Sequence, residues 1–69
     1  MEKIITKIDG REKLVGYCDN YKEFQQQIRR YVEIYEEDVF NINFDKDENG
    51  YYSTINYFNE KPLEVVCYL

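Results

Sequence analysis

Asp45, Asp47 and Asn49 recur at every second position and are followed directly by Gly50. Residue types and spacing of this kind suit a hard cation: alternate side-chain oxygens wrap the ion, and the glycine takes the sharp turn at the sixth place. Ser53 falls at the ninth place of the same frame and Asn56 at the twelfth. The twelfth place needs a bidentate glutamate, which Asn56 cannot supply. The same residues also serve as a hairpin turn, since Asp, Asn and Gly adopt turn conformations without any metal. Other chemistry has less to work with. The chain has no histidine, so it lacks an imidazole base and any histidine metal ligand. Its two cysteines, Cys18 and Cys67, have no recognisable activating partner and are too few for a zinc set. Carboxylates are plentiful, but a chain of 69 residues has little room for a water-excluding pocket. The expectation is a protein that is not an enzyme and carries no cofactor.

The Asp45–Asn56 segment resembles the opening of an EF-hand calcium loop, which implies a weak calcium site as a minor possibility. Its flanks read as strands where that family has helices, and no other part of the chain carries the likeness.

Charge supplies the stronger signal. Residues 1–32 carry seven bases against five acids, whereas residues 33–69 carry nine acids against Lys46 and Lys61, within a net charge of −5. Direct binding to a phosphate backbone needs Lys and Arg to displace counterions, so the acidic half argues against nucleic acid as the direct ligand. It suits another protein with a basic surface. The candidate contact residues are Glu33, Glu36, Glu37 and Asp38, joined by Asp45, Asp47 and Glu48 if the chain brings them together. Acids so arranged can imitate a phosphate track. Small acidic proteins of phages and mobile elements use that principle against nucleases and other DNA-binding machines, and this chain is similar to them in size, charge and tyrosine-rich composition. The implied function is an inhibitor of the anti-CRISPR or anti-restriction type that acts as a nucleic-acid mimic.

These residues must be positioned by a small number of elements. Between Asn20 and Glu37 the apolar residues Tyr21, Phe24, Ile28, Tyr31, Val32 and Tyr35 share one helical stripe, with Lys22, Gln26, Arg29, Arg30 and Glu33 outside it. Asn20 can cap the amino end, with Glu23 completing a capping box. The carboxyl end is unusual, because Glu36, Glu37 and Asp38 crowd the negative pole of the helix dipole. Ile34 lies off the stripe.

Strand patterns surround the helix. Lys3–Asp9 and Lys13–Cys18 form a hairpin about Asp9-Gly10, with Leu14 and Cys18 facing one way, Val15 and Tyr17 the other, and Gly16 marking a bulge. Val39–Asp45 alternates, placing Phe40, Ile42 and Phe44 on one face and Asn41, Asn43 and Asp45 on the other. Tyr51–Phe58 and Leu63–Leu69 follow, separated by a turn containing Pro62. The order ββαβββ with short loops gives an α+β fold, an antiparallel sheet with one amphipathic helix packed on one face.

The uncovered face would then present Tyr17, Tyr52, Val66 and Tyr68. Tyr52 and Tyr68 are accordingly further partner-binding candidates, and a homodimer formed through that face or through an edge strand is the competing reading. The length bounds the chain to a single domain, residues 1–69. No apolar run is long enough for a membrane span. With two cysteines expected as buried free thiols, the compartment reads as cytoplasmic.

Overall fold

The computed structural model describes residues 1–69. The elements are β1 (Glu2–Ile8), β2 (Arg11–Cys18), α1 (Tyr21–Tyr35), β3 (Val39–Asp47), β4 (Gly50–Tyr57) and β5 (Leu63–Tyr68). The strands form one sheet in the order β2-β1-β5-β4-β3, with every neighbouring pair antiparallel. This is the expected α+β fold with one helix. The sequence left the strand order open. In the fold, the first and last strands lie side by side, and β2 and β3 form the two edges.

The helix accounts for that order. Five strands at about 4.8 Å spacing make a sheet about 19 Å wide. Four antiparallel steps make the edge strands β2 and β3 parallel to each other, so the chain must return along the strand length between them. Fifteen helical residues rise about 22 Å, enough for that return. The Asn20 side chain accepts a hydrogen bond from the Glu23 amide (2.9 Å), and the Glu23 carboxylate accepts one from the Asp19 amide (2.7 Å). The helix ends two residues earlier than its sequence pattern suggested. Glu36 is the C-cap, its amide still bonded to the Val32 carbonyl (3.0 Å), and Asp38 takes a left-handed φ of 57°. Glu36, Glu37 and Asp38 therefore lie beyond the helical turns, and only Glu33 meets the unfavourable end of the dipole.

Phe24 and Ile28 are the fully buried residues of the helix, packed with Ile4, Cys18, Ile55, Leu63, Val65 and Cys67. Tyr21, Tyr31 and Val32 border that core. Tyr35, expected in the same stripe, is instead 71% exposed: it ends the helix, its ring packs on Tyr31 (centroids 5.3 Å apart), and it borders Lys13, Leu14 and Val15 of β2. Ile34 is exposed apolar surface.

Two bulges change the expected facing of strand residues. On β2, Gly16 pairs with Ile4 and Leu14 with Ile5, so Val15 is the extra residue. Leu14 and Tyr17 consequently share the uncovered face, whereas Val15 and Cys18 pack on the helix side. A bulge opposes two residues to one and shifts the alternation beyond it. On β3 the irregularity lies between Val39 and Asn41. Val39 takes the core place expected of Phe40, and Phe40 turns outward.

Ser53 lies on β4 opposite both Phe44 and Val65. It is 2% exposed, and its hydroxyl has no hydrogen-bond partner in the protein. A buried unpaired hydroxyl costs about 1–3 kcal/mol, so Ser53→Ala is expected to stabilise the domain by about 1 kcal/mol. In a chain of this size that raises the melting temperature by about 4–8 °C. A lower melting temperature in differential scanning calorimetry would contradict the unpaired hydroxyl.

Candidate binding surfaces

The acidic candidates fall into two groups at opposite ends of β3. Glu33, Glu36, Glu37 and Asp38 precede the strand, and Asp45, Asp47 and Glu48 close it. Seven steps of extended chain at about 3.3 Å each set Asp45 about 23 Å from Asp38, in a molecule whose longest extent is 32 Å. One contiguous acidic belt is thus not formed. The sequence left open whether the acids join, because it gives no strand direction, and β3 carries the chain straight from one end of the sheet to the other.

Within each group some carboxylates serve the fold. The half-buried Glu36 faces the hydroxyls of Tyr31 and Tyr57, beside Glu60, in a cavity of about 430 Å³ that also includes Thr6, Lys13 and Lys61. Burial, and then the Glu36 carboxylate, holds both phenols above their ordinary range. At the other end, the Asp47 carboxylate accepts from the amides of Asn49 (2.8 Å) and Gly50 (3.0 Å) and from the Tyr52 hydroxyl (3.1 Å). The side chains of Glu33, Glu37, Asp45 and Glu48 are exposed.

That geometry also bears on calcium. Asp45 and Asp47 sit along an extended strand, and only Glu48 and Asn49 form the turn. The Asn56 amide donates to the Asn41 side chain across the β3–β4 pair (2.7 Å). The ring of oxygens that the EF-hand spacing implied is not assembled, and no three acidic or thiol side chains converge on a point.

On the uncovered face the register places Leu14, Ile5, Val66, Tyr52 and Asp45 in one row across all five strands. Tyr68 stands beside it and accepts a hydrogen bond from the Lys7 ammonium (2.7 Å), which also lies over its ring. Tyr52, Val66 and Tyr68 therefore share this face, as the alternation indicated. Val66 is only 7% exposed although no element covers it.

No protein-family model, curated protein or solved structure matches this chain. Its surfaces are therefore read from their own chemistry.

Three of the nine Lys and Arg side chains lie over aromatic rings. Arg29 lies over Phe44 (4.9 Å to the ring centre), Lys46 over Tyr21 (5.1 Å) and Lys7 over Tyr68 (5.0 Å). The one salt bridge joins the terminal amine to Asp19 at 3.3 Å. None of the acids of the two groups forms a salt bridge with a Lys or Arg, although Lys13 and Lys61 share the cavity of Glu36.

Sequence reasoning missed one feature. Phe40 and Phe58 are 63% and 66% exposed, with rings packed edge to face at 5.4 Å. They stand at the start of β3, next to Glu37 and Asp38, where the Phe58 amide donates to the Asp38 carbonyl (3.1 Å). The outward turn of Phe40 follows from the bulge. The only sequence signals were two phenylalanines at the limits of their strand patterns.

The thiols are inert structural groups. Cys18 and Cys67 lie with sulfurs 3.5 Å apart and are buried. β1 runs between their strands, and both thiols are free. Burial pushes Cys18 up to about 12 and raises Cys67 as well. An unfolded thiol ionises near 9.0. The folded state therefore holds its protons longer, and stability is full below about pH 9 and falls as pH rises towards 12. Tyr57 and Tyr31, raised from 10.0, add to the same alkaline loss. Melting temperature measured against pH should be flat near neutrality and decline above about pH 9. Thiol titration with a chromogenic disulfide should detect both cysteines only in denaturant, and rapid reaction of the native protein would refute their protection.

Proposed function

We propose that this domain is a non-catalytic protein binder that engages a partner with a basic surface. The single observation carrying this reading is the charge arrangement: two acidic poles at the ends of β3 form no salt bridge with a Lys or Arg, while Lys7, Arg29 and Lys46 lie over aromatic rings. Charges left unpaired on a surface steer a partner of opposite sign and set its orientation. The phenylalanine pair beside one pole adds the apolar contact that charge alone does not supply. A nucleic-acid-binding protein, whose groove normally receives phosphates, is the partner class that two such poles fit best. An inhibitor acting as a nucleic-acid mimic is the form of function this supports. The absence of histidine and the buried, protonated thiols support a role other than catalysis.

The test reverses exposed acids, of which Asp45 alone accepts a bond, from the adjoining Lys46 amide (2.8 Å). Glu33→Lys with Glu37→Lys, and Asp45→Lys with Glu48→Lys, reverse exposed acids while sparing Glu36 and Asp47. Cross-linking in the cells that make the protein, followed by mass spectrometry, should recover a basic partner. That partner should be released by raised salt and lost with either double variant. Capture that is indifferent to both variants would overturn the reading. The competing homodimer has its own support in the Leu14–Ile5–Val66–Tyr52 row. Sedimentation would reveal it as a dimer that survives high salt and dissociates on Tyr68→Asp.

A further inference from the structure

The two sheet edges differ in how they are guarded. Each edge strand carries three consecutive charged residues at one end, Arg11–Lys13 on β2 and Asp45–Asp47 on β3, but β2 also has a bulge at Val15 in its middle, which discourages another strand from pairing there. The irregularity of β3 lies at Phe40, and from Asn41 to Asp47 its pairing with β4 runs without a break. An edge strand presents a row of free N–H and C=O groups on its outer side. The one lysine in this run, Lys46, is held over the Tyr21 ring on the helix side of the sheet. The stretch Asn41–Phe44 carries no charge.

We infer that the outer edge of β3 takes up an extended segment of a partner protein as a sixth strand, a segment with Lys or Arg at each end and an apolar side chain seated on Phe40 and Phe58. This rests on the basic-partner reading above and specifies how the partner is held. Backbone pairing along Asn41–Asp47 supplies the main attraction, as in other strand-addition complexes. Glu37 and Asp38 at one end, and Asp45 and Glu48 at the other, select the cationic ends. The same charges argue against a second copy of this chain as the occupant. Antiparallel pairing of β3 with itself sets Glu37 and Asp38 against Asp45 and Glu48 of the other copy, and parallel pairing sets each pole against its like. Either arrangement brings acid to acid, which is destabilising across strands.

The experiment uses synthetic peptides with the whole domain, followed by amide NMR. One peptide alternates Val and Thr over seven residues between paired lysines. A second replaces those lysines with glutamates. A third keeps the lysines but has N-methyl groups on alternate backbone nitrogens along each edge in turn. The lysine peptide should shift the amides of Asn41–Asp47 and Phe58 and slow hydrogen exchange along β3. The glutamate peptide should bind at least tenfold more weakly. N-methylation of one edge should cost at least tenfold, while methylation of the other leaves binding unchanged. Equal binding of both methylated forms would overturn strand addition while leaving the basic-partner reading in place. Failure of every lysine peptide to perturb β3, in a domain that still captures its basic partner, would do the same. Self-association sealed by slow exchange along β3 would overturn the charge argument as well.

Discussion

Phe24→Ala is expected to leave the domain largely unfolded at physiological temperature. Phe24 is completely buried and is the largest fully buried side chain. Its ring joins the helix to both β3 and β4, with centroids 6.3 Å from Phe44 and 5.6 Å from Tyr51. Tyr21, one helical turn earlier, stacks at 6.4 Å from Phe24 and 5.3 Å from Tyr51. Removing the ring costs about 3–5 kcal/mol in transfer and cavity terms. A chain of 69 residues has a total stability of about 3–10 kcal/mol. The loss is therefore comparable with the whole margin. Phe24→Leu keeps most of the volume and should remain folded with a lower melting temperature. Circular dichroism melts of the two variants check this, and a Phe24→Ala protein melting within a few degrees of the parent would show that the helix is anchored elsewhere.

The helix and its cap were legible because their signals are local. Asn20 and Glu23 act within one turn, and the Tyr21–Phe24–Ile28 spacing is a property of the helix alone. The Asp9-Gly10 turn is local too: both residues have positive φ, 50° and 78°, as a two-residue hairpin requires. Non-local features were less readable. The Leu14 and Phe40 side chains turned away from their expected faces because a single extra residue shifts all the alternation on one side of it. Gly16 gave notice of the first bulge, but nothing near Phe40 announced the second. The separation of the acids depends on strand direction and order, which rest on pairings between residues far apart in sequence. Tyr52, Val66 and Tyr68 were correctly placed on one face because no bulge interrupts β4 or β5.

The same structure distinguishes acids that maintain the fold from acids free to act on a partner. Glu36 and Asp47 are each held by two or more polar neighbours, and their exchange would disturb the helix exit or the β3–β4 turn. Glu37 and Glu48 lie next to them in sequence, are exposed and make no such bonds. Each pole therefore has a structural anchor and a free neighbour. A rigid display of this kind limits the ordering cost of binding, since the backbone that carries the charge is already fixed.

Gly50→Ala is the second substitution expected to have a large effect, and it bears on the cation-like spacing from Asp45 to Gly50. Were Gly50 needed for the sharp turn of a calcium loop, its role would be conformational. Its φ does not lie in the left-handed region, where Gly10 is the glycine with a positive value. The constraint is space. A Cβ at Gly50 would stand 2.5 Å from the Cys67 carbonyl oxygen and 3.4 Å from the Tyr68 Cα, both backbone atoms of β5. Gly50 pairs with Tyr68, and the Leu69 amide is bonded to the Asn49 carbonyl at 3.0 Å, so β5 cannot retreat without breaking its ladder to β4. Overpacking of this kind costs about 1–3 kcal/mol and more where backbone must move. Gly10→Ala meets no atom within 4 Å and should lose only the left-handed preference, about 1–2 kcal/mol. Urea unfolding should rank Gly50→Ala well below Gly10→Ala, with the Cys67 amide exchanging faster in the former. The deficit should be the same with and without millimolar calcium, because the methyl group collides with β5 and not with a bound ion. Restoration of Gly50→Ala by calcium would show instead that the Asp45–Gly50 spacing holds a metal.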